Sequence, residues 1–406
     1  MPPEQPSAAG PNKALTVAMF TNNYFPFVGG VPVSISRQAK GLRKSGHTVH
    51  IFAPKYPGQP PDADECTHRY RLITFYKSKV FHYAVVNIFS PKIKKDFKRY
   101  GFDVVHVHHP FWMGSKGAKL GRKYNIPVIF TYHTRFDCYY HFMPILKQTF
   151  KKFISHRIVK TFAKKCTAVF APSQTSKDYL DGLLIQKPIY IMPTGIEIER
   201  FSGLSVQGLR EELTPGGETL LCYASRLSQE KNLSFLIDCI ARVKQKTDAA
   251  FKCILMGEGP EKDNVQAAID AAGLAGDVAL LGKIPQNEIG GYFNVSDIFV
   301  YASKTETQGM VLTEAMAGGC PVVAVSSGGV DDVVEHGYNG FKSAEDAGEW
   351  SDYCVRLIED KELRNRMSAN AVESAKKFSL ERITDMAAGV YAESVRKIHT
   401  EGKVNG

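Results

Sequence analysis

The stretch DIFVYASKTETQGMVLTEAMAGGCPVVAV, residues 297–325, contains one complete unit of an architecture. IFVY and PVVAV are short, apolar and rich in β-branched and aromatic residues, as buried strands are. Between them MVLTEAMA has helical length and is stopped by Gly318 and Gly319. Two continuously apolar strands joined through a helix make a βαβ unit, which implies a parallel sheet covered on both faces. The loop before the helix raises a second question. Glu306 and Glu314 stand around it with seven residues between them, whereas a helix N-terminus by itself favours anions through its unpaired amides and dipole. Two carboxylates there need a task beyond capping.

The same rhythm runs outward in both directions. Upstream in this half lie TLLCYAS (219–225), FKCILMGEG (251–259) and VALLGKIP (278–285). The first half has ALTVAMFT (14–21), HTVHIFAP (47–54), DVVHVHHP (103–110), IPVIFTYHT (126–134), TAVFAPS (167–173) and PIYIMP (188–193), with helix-length segments between them, the first from Val33 to Lys44. A break rich in Pro and Gly runs from Pro193 to Gly217. These readings predict an α/β chain of two doubly wound, Rossmann-like parallel-sheet domains. The expected division is a disordered leader at 1–12, an acceptor-binding domain at 13–198 and a nucleotide-binding domain at 199–378. A helix at 379–406 is expected to return toward the first domain. Ligands of such sheets bind beyond the carboxyl ends of the strands, so the loops are expected to converge on one central cleft.

The bulk properties narrow the class. The chain has 406 residues, 44% hydrophobic and 23% charged, which suits a soluble enzyme-sized protein. No apolar run approaches the roughly 18 residues that span a bilayer, and MPPEQPSAAGPNK lacks a signal core, so a cytoplasmic location is expected. The cysteines are scattered without a Cys-x-x-Cys pair, which disfavours a zinc site or a disulfide framework. Net charge is +10, but residues 1–200 carry 30 basic and 11 acidic residues, leaving 21 and 30 for the rest. From Lys77 to Lys165 the chain has 19 basic residues and three acidic ones, interleaved with aromatics. That pattern suits an anionic membrane surface or a nucleic acid. It equally suits solvated helix faces with core aromatics behind them.

Several loops suit phosphate. Gly29 and Gly30 follow the first strand and precede a helix, where backbone amides can approach an anion closely; a plain tight turn is the alternative. The absence of Gly-x-Gly-x-x-Gly there argues against a hydride-transfer enzyme. Arg226 and Lys231 follow a strand end and suit one diphosphate. The backbone around Lys283 and Ile284 suits a base edge. The amides of Gln308, Gly309, Met310 and Val311 begin the helix of the opening stretch and suit a phosphate. Glu306 and Glu314 then make sense as acceptors for hydroxyls on either side of it, one on a sugar and one on a ribose. Sugar, diphosphate and ribose in that order describe a nucleotide sugar.

With these residues in view the chain resembles the retaining glycosyltransferases of family four, which have the GT-B fold and carry two glutamates with seven residues between them. The segments VHVHHPFWMGSKGAKLGRKYNIPVIFTYHTRFDCYYHFMP and SKTETQGMVLTEAMAGG are most similar to bacterial 1,2-diacylglycerol 3-glucosyltransferases. The resemblance implies that Glu314 holds the ribose diol, Glu306 the donor hexose, Arg226 and Lys231 the diphosphate, and His133 the hexose or the reacting centre. It implies a nucleotide-sugar donor, UDP-glucose in the leading reading with uracil or guanine as base and the hexose left open, a lipid acceptor, and a protein lying peripherally on the inner face of the cell membrane without nucleic acid. His109 and Asp137 are expected to contact the acceptor. GGVDDVV departs from the family pattern, with Asp331 and Asp332 where many relatives have Pro-Glu or a similar pair.

No metal or other cofactor is expected. His106, His108 and His109 lack a carboxylate or cysteine partner nearby, and His106 reads as packed. Asp62-Ala63-Asp64 matches the Asp-x-Asp of metal-dependent transferases only by chance, since it lies in a Pro-rich loop. The expected mechanism is a front-face displacement in which the leaving phosphate oxygen takes the acceptor proton. Within the enzyme class a soluble, polyprenyl-linked or protein acceptor is the alternative. A non-catalytic basic protein that binds lipid or nucleic acid is the alternative of another class, opposed by the set Glu306, Glu314, Arg226 and Lys231.

Overall fold

The computed structural model describes residues 13–27, 29–77, 82–133, 148–202 and 208–404. The leader at 1–12 and Asp137 lie outside them, as do Cys138 and several of the aromatics in the basic stretch. The chain divides into two compact units, Met1–Gly195 with Leu380–Gly406, and Ile196–Ser379.

In the first unit the elements run β1 (Thr16–Phe20), α1 (Gly30–Lys44), β2 (Thr48–Lys55), β3 (Thr67–Lys77), β4 (His82–Val86), α2 (Pro91–Arg99) and β5 (Val104–Val107). They continue with α3 (Met113–Lys123), β6 (Val128–Thr131), α4 (Gln148–Ala163), β7 (Ala168–Ala171), α5 (Gln174–Gly182) and β8 (Ile189–Ile191). The strand order is β4-β3-β2-β1-β5-β6-β7-β8. All neighbours pair in parallel except β3 with β4, which is antiparallel. That edge hairpin corrects the expectation of a wholly parallel sheet. Its first strand, THRYRLITFYK, alternates cations with apolar residues, Tyr70 being buried while Arg71 and Ile73 are exposed, as a strand with one open face can and a strand buried on both faces cannot.

Strand β1 shows how one apolar run serves two layers. Ala18 and Phe20 enter a core with α2 and α3, while Val17 and Met19 enter a second core on the other face. Period-2 alternation assigns successive residues to opposite faces. A Cβ on Gly117 of α3 would lie 2.6 Å from the Phe20 ring, so glycine sets how closely that helix rides on the sheet. The second face is covered by α1 and by the last helix of the chain, Leu380–Val404, whose Ile383, Ala387, Val390 and Tyr391 are buried there.

The second unit runs α6 (Leu209–Leu213), β9 (Thr219–Ala224), α7 (Leu233–Lys246), β10 (Phe251–Met256), α8 (Lys262–Ala271), β11 (Val278–Gly282), α9 (Ile289–Val295) and β12 (Ile298–Tyr301). Then come α10 (Met310–Ala317), β13 (Val322–Val325), α11 (Gly328–Asp331), β14 (Gly340–Ser343), α12 (Ala347–Glu359) and α13 (Lys361–Lys376). The final helix, α14 (Leu380–Val404), belongs to the first unit. The sheet order is β11-β10-β9-β12-β13-β14, parallel throughout. Strand order reverses between β9 and β12, the place where doubly wound sheets open a crevice for ligands. Six cysteines, Cys166, Cys222, Cys239, Cys253, Cys320 and Cys354, are buried thiols.

Candidate active site

In the second unit the loops at the carboxyl ends of the strands are stitched to one another. The Ser225–Ser228 loop after β9 is pressed against Gly257–Gly259 after β10: Leu227 N–H donates to Glu258 O at 3.0 Å. A Cβ on Gly257 or Gly259 would fall 1.8 or 2.0 Å from a carbonyl oxygen of that loop, so only glycine permits the approach. Gly257 N–H in turn donates to Gly282 O at 2.7 Å, tying in the loop that carries Lys283 and Ile284. On the other side Ser303 Oγ donates to Glu230 O, Ser327 Oγ donates to Ser303 O at 3.1 Å, and Gly329 N–H donates to Glu306 O at 2.9 Å.

This framework sets the carboxylate of Glu306. Lys231, at the end of a 3-10 turn before α7, donates to Glu306 Oε1 and, at 3.2 Å, to Tyr301 Oη. Tyr301 Oη donates to the same Oε1 at 2.5 Å. Burial pushes the Glu306 carboxyl up, but the Lys231 charge and the hydrogen bonds from Lys231, Tyr301 and Ser303 outweigh it and hold the pKa below its usual value. Glu306 is therefore an ionised, half-buried acceptor. Burial and that same carboxylate push the Tyr301 phenol well up, so it stays a donor.

Helix α10 starts at Met310, after Gly309 in the left-handed region (φ 71°, ψ 42°). A Cβ on Gly309 would meet Gly329 O at 2.8 Å, and one on Gly329 would meet Gln308 N at 2.6 Å. The loop 306–309 and the start of α11 thus touch backbone to backbone. Gln308 is buried, Met310, Val311 and Glu314 are half-buried, and Arg226 and Lys283 are exposed. Ile284 packs on the core. Asp331 accepts from Ser326 Oγ at 2.6 Å and faces Lys342 at 3.3 Å.

In the first unit a group of histidines lies at the carboxyl edge of β1, β5 and β6. His106 is buried between Tyr391 Oη (2.7 Å) and Thr131 Oγ1 (2.6 Å). His108 Nδ1 lies 2.9 Å from His133 Nε2. Asn22 N–H donates to His109 Nδ1 at 3.2 Å, so His109 serves the fold as an acceptor within the loop after β5. Burial holds His106 and His109 down at about 3, and lowers His108 and His133 well below the usual imidazole value with help from neighbouring histidines. These are neutral rings. Gly29 precedes α1 in extended backbone that any residue adopts, with its carbonyl accepting from Val33 N–H at 3.2 Å. Asp137 lies outside the described residues.

The Asp62 and Asp64 carboxylates are taken up by arginines: Arg69 pairs with Asp62 at 2.7 Å and Arg43 with Asp64 at 3.0 Å. Among the described residues no group of three or more His, Cys, Asp and Glu could hold a metal ion. Tyr301 and Asn22 escape a reading of the sequence. Tyr301 ends an apolar strand and reads as core; Asn22 reads as an ordinary turn residue.

Two doubly wound sheets with a Lys–Glu–Tyr cluster and glycine-dependent loops at their carboxyl ends define a GT-B glycosyltransferase. Residues 28–200 match the Glycosyltransferase Family 4 domain and residues 208–374 the Glycosyl transferases group 1 domain. The chain belongs to the family-four glycosyltransferases. It is 26% identical to the alpha-monoglucosyldiacylglycerol synthase of Acholeplasma laidlawii over 95% of this chain and 97% of that one. It is 30% identical to the synthase of the same name from Streptococcus pneumoniae, over 76% and 71%. Among solved structures, sucrose-phosphate synthase from Thermosynechococcus elongatus superposes with a TM-score of 0.75 at 20% identity, covering 93% of this chain and 98% of that one.

Proposed function

We propose that this glycosyltransferase moves glucose from UDP-glucose to diacylglycerol or a related lipid alcohol at an anionic membrane surface, with retention at the anomeric carbon. The observation that carries the donor half is the Lys231–Glu306–Tyr301 cluster beside the N-terminus of α10. In this reading Glu306 accepts from hexose hydroxyls and Glu314 from the ribose diol. Arg226, Lys231 and the amides of Gln308, Gly309, Met310 and Val311 carry the charge that grows on the leaving diphosphate, which is the largest catalytic contribution in such sites. Lys283 and Ile284 flank the base, and Gly29 and Gly30 approach the phosphate. The bond from the anomeric carbon to the phosphate oxygen breaks as the acceptor oxygen attacks the same face. The departing phosphate oxygen takes the acceptor proton. The neutral His133 ring can donate to the hexose or the transferring group without adding charge, His109 and Asp137 are assigned to the acceptor side, and no step needs a metal.

The acceptor half rests on the two synthases named above and on the surface of the first unit. Ile73 on β3 and Phe89 before α2 are 60% and 82% exposed. Helix α2 buries Ile93 and Phe97 and exposes Lys92, Lys94, Lys95, Lys98 and Arg99. Exposed apolar side chains among cations suit an anionic bilayer. No helix among the described residues is long and apolar enough to cross a membrane. The test is UDP release from UDP-glucose by purified protein, with and without diacylglycerol in anionic vesicles. Lipid-dependent release that disappears in Glu306→Ala supports the proposal; donor binding without lipid-dependent turnover refutes the acceptor.

A further inference from the structure

Trp112 stands immediately before α3 with φ 49° and ψ −116°, a conformation that L residues rarely adopt. Bulky side chains in such regions persist only where surrounding structure over-determines them, and they gather at functional sites. Here the surrounding structure is Asn22. Its Nδ2 donates to Phe111 O at 3.2 Å and its Oδ1 accepts from Met113 N–H at 2.9 Å, so one side chain clasps the backbone on both sides of Trp112. Its own backbone N–H goes to His109. The turn uses glycine where space demands it: a Cβ on Gly114 would lie 1.7 Å from His109 O. At position 112, where glycine would relieve the strain, the chain has its largest residue type.

Burial in the core does not explain that choice. Asn22, His109 and Met113 are buried, yet Trp112 is only half-buried, whereas the chain's other tryptophan, Trp350, is fully buried. The turn follows β5, and His108 in the same loop meets His133, which follows β6. Strain, clasp and partial exposure therefore coincide at the carboxyl edge of the sheet, beside the histidines.

We propose that Trp112 is an acceptor-contacting, specificity-determining residue, and that Asn22 is the positioning residue that clasps it in its strained turn. An indole offers an apolar face and one N–H, which fits an amphiphilic alcohol carrying hydrocarbon next to its hydroxyl. The inference rests on the lipid-acceptor reading above.

The test uses the full chain with UDP-glucose and diacylglycerol in detergent micelles. Trp112→Gly and Asn22→Ala should each raise the apparent KM for diacylglycerol by about tenfold, the scale of losing one well-placed contact, while the KM for UDP-glucose stays within about twofold. Trp112→Phe should fall between. Because Trp350 is sealed in the core, acrylamide-quenchable emission reports Trp112; diacylglycerol micelles should protect it, also in a Lys231→Ala variant that turns over poorly. An unchanged acceptor KM, equal rises for both substrates, or quenching insensitive to diacylglycerol overturns the role of Trp112. Wild-type protein that turns over no diacylglycerol overturns the acceptor reading itself, and this inference with it.

Discussion

His108 Nδ1 and His133 Nε2 face each other at 2.9 Å, one proton between two neutral rings. The other nitrogen of His108, Nε2, is buried without a hydrogen-bond partner among the described residues. A buried N–H without a partner is rarer and costlier than an unmet lone pair. His108 therefore donates from Nδ1, and His133 accepts at Nε2 and carries its own proton on Nδ1. Side-chain 15N shifts should show His133 protonated on Nδ1 in the wild type and displaced toward the Nε2 form in His108→Leu, with partial return in His108→Asn. An Nε2-protonated His133 in the wild type contradicts the assignment.

Lys231 and Glu306 hold each other, and the proposed mechanism also gives both to the donor. Lys231→Ala should lower kcat by roughly a hundredfold, the scale of losing one preorganised charge donor. It also leaves Glu306 without its cation, so the carboxyl pKa should rise toward or above its ordinary value. Steady-state kinetics and the carboxyl 13C titration check the two effects separately. Near-normal turnover would remove Lys231 from the machinery.

Gly329 is where the loop 306–309 and the start of α11 meet. A methyl group there would be 2.6 Å from Gln308 N and 2.9 Å from Gly309 N, and backbone cannot swing aside as a side-chain tip can. Gly329→Ala should destabilise the protein by about 1–3 kcal/mol and weaken UDP binding, since the loop 306–309 must shift. Calorimetric titration with UDP and a thermal melt measure both. Unaltered UDP affinity would show that this contact does not set the donor site.

Acid sensitivity follows from the buried histidines. His106 and His109 titrate at about 3 in the folded chain, against about 6.5 when unfolded. As pH falls below 6.5 the unfolded chain takes up these protons first, so stability is complete above that value and declines by about 1.4 kcal/mol per pH unit for each ring, down to the folded value. Glu306 acts lower: its depressed pKa contributes stability that is present above the ordinary carboxylate value and lost as pH falls through the depressed one. Melting temperatures should therefore already drop between pH 6.5 and 4.5, and less steeply in His106→Gln. A flat profile across that range would mean that these rings are protonated in the folded protein.

The strands and their class were legible in the residues because a parallel sheet covered on both faces needs continuous apolar runs, and ALTVAMF, PVIFT, LLCYA and IFVYA supply them. That Glu306, Glu314, Arg226 and Lys231 lie in loops and helix starts following strands could be read for the same local reason: loop and helix start are adjacent in sequence. The β3–β4 edge hairpin was not legible, since the exposed face of β3 leaves cations among its apolar residues and breaks the run. Tertiary structure alone decided that Tyr301 would complete the Lys231–Glu306 cluster, because β12 lies beside β9 in the sheet and not beside its sequence neighbour β11. It likewise decided that Asn22 would clasp Trp112, 90 residues away, because β1 pairs with β5. Local pattern specifies which side of a segment is buried. Which loops then meet depends on strand order, and that is settled by how whole layers pack.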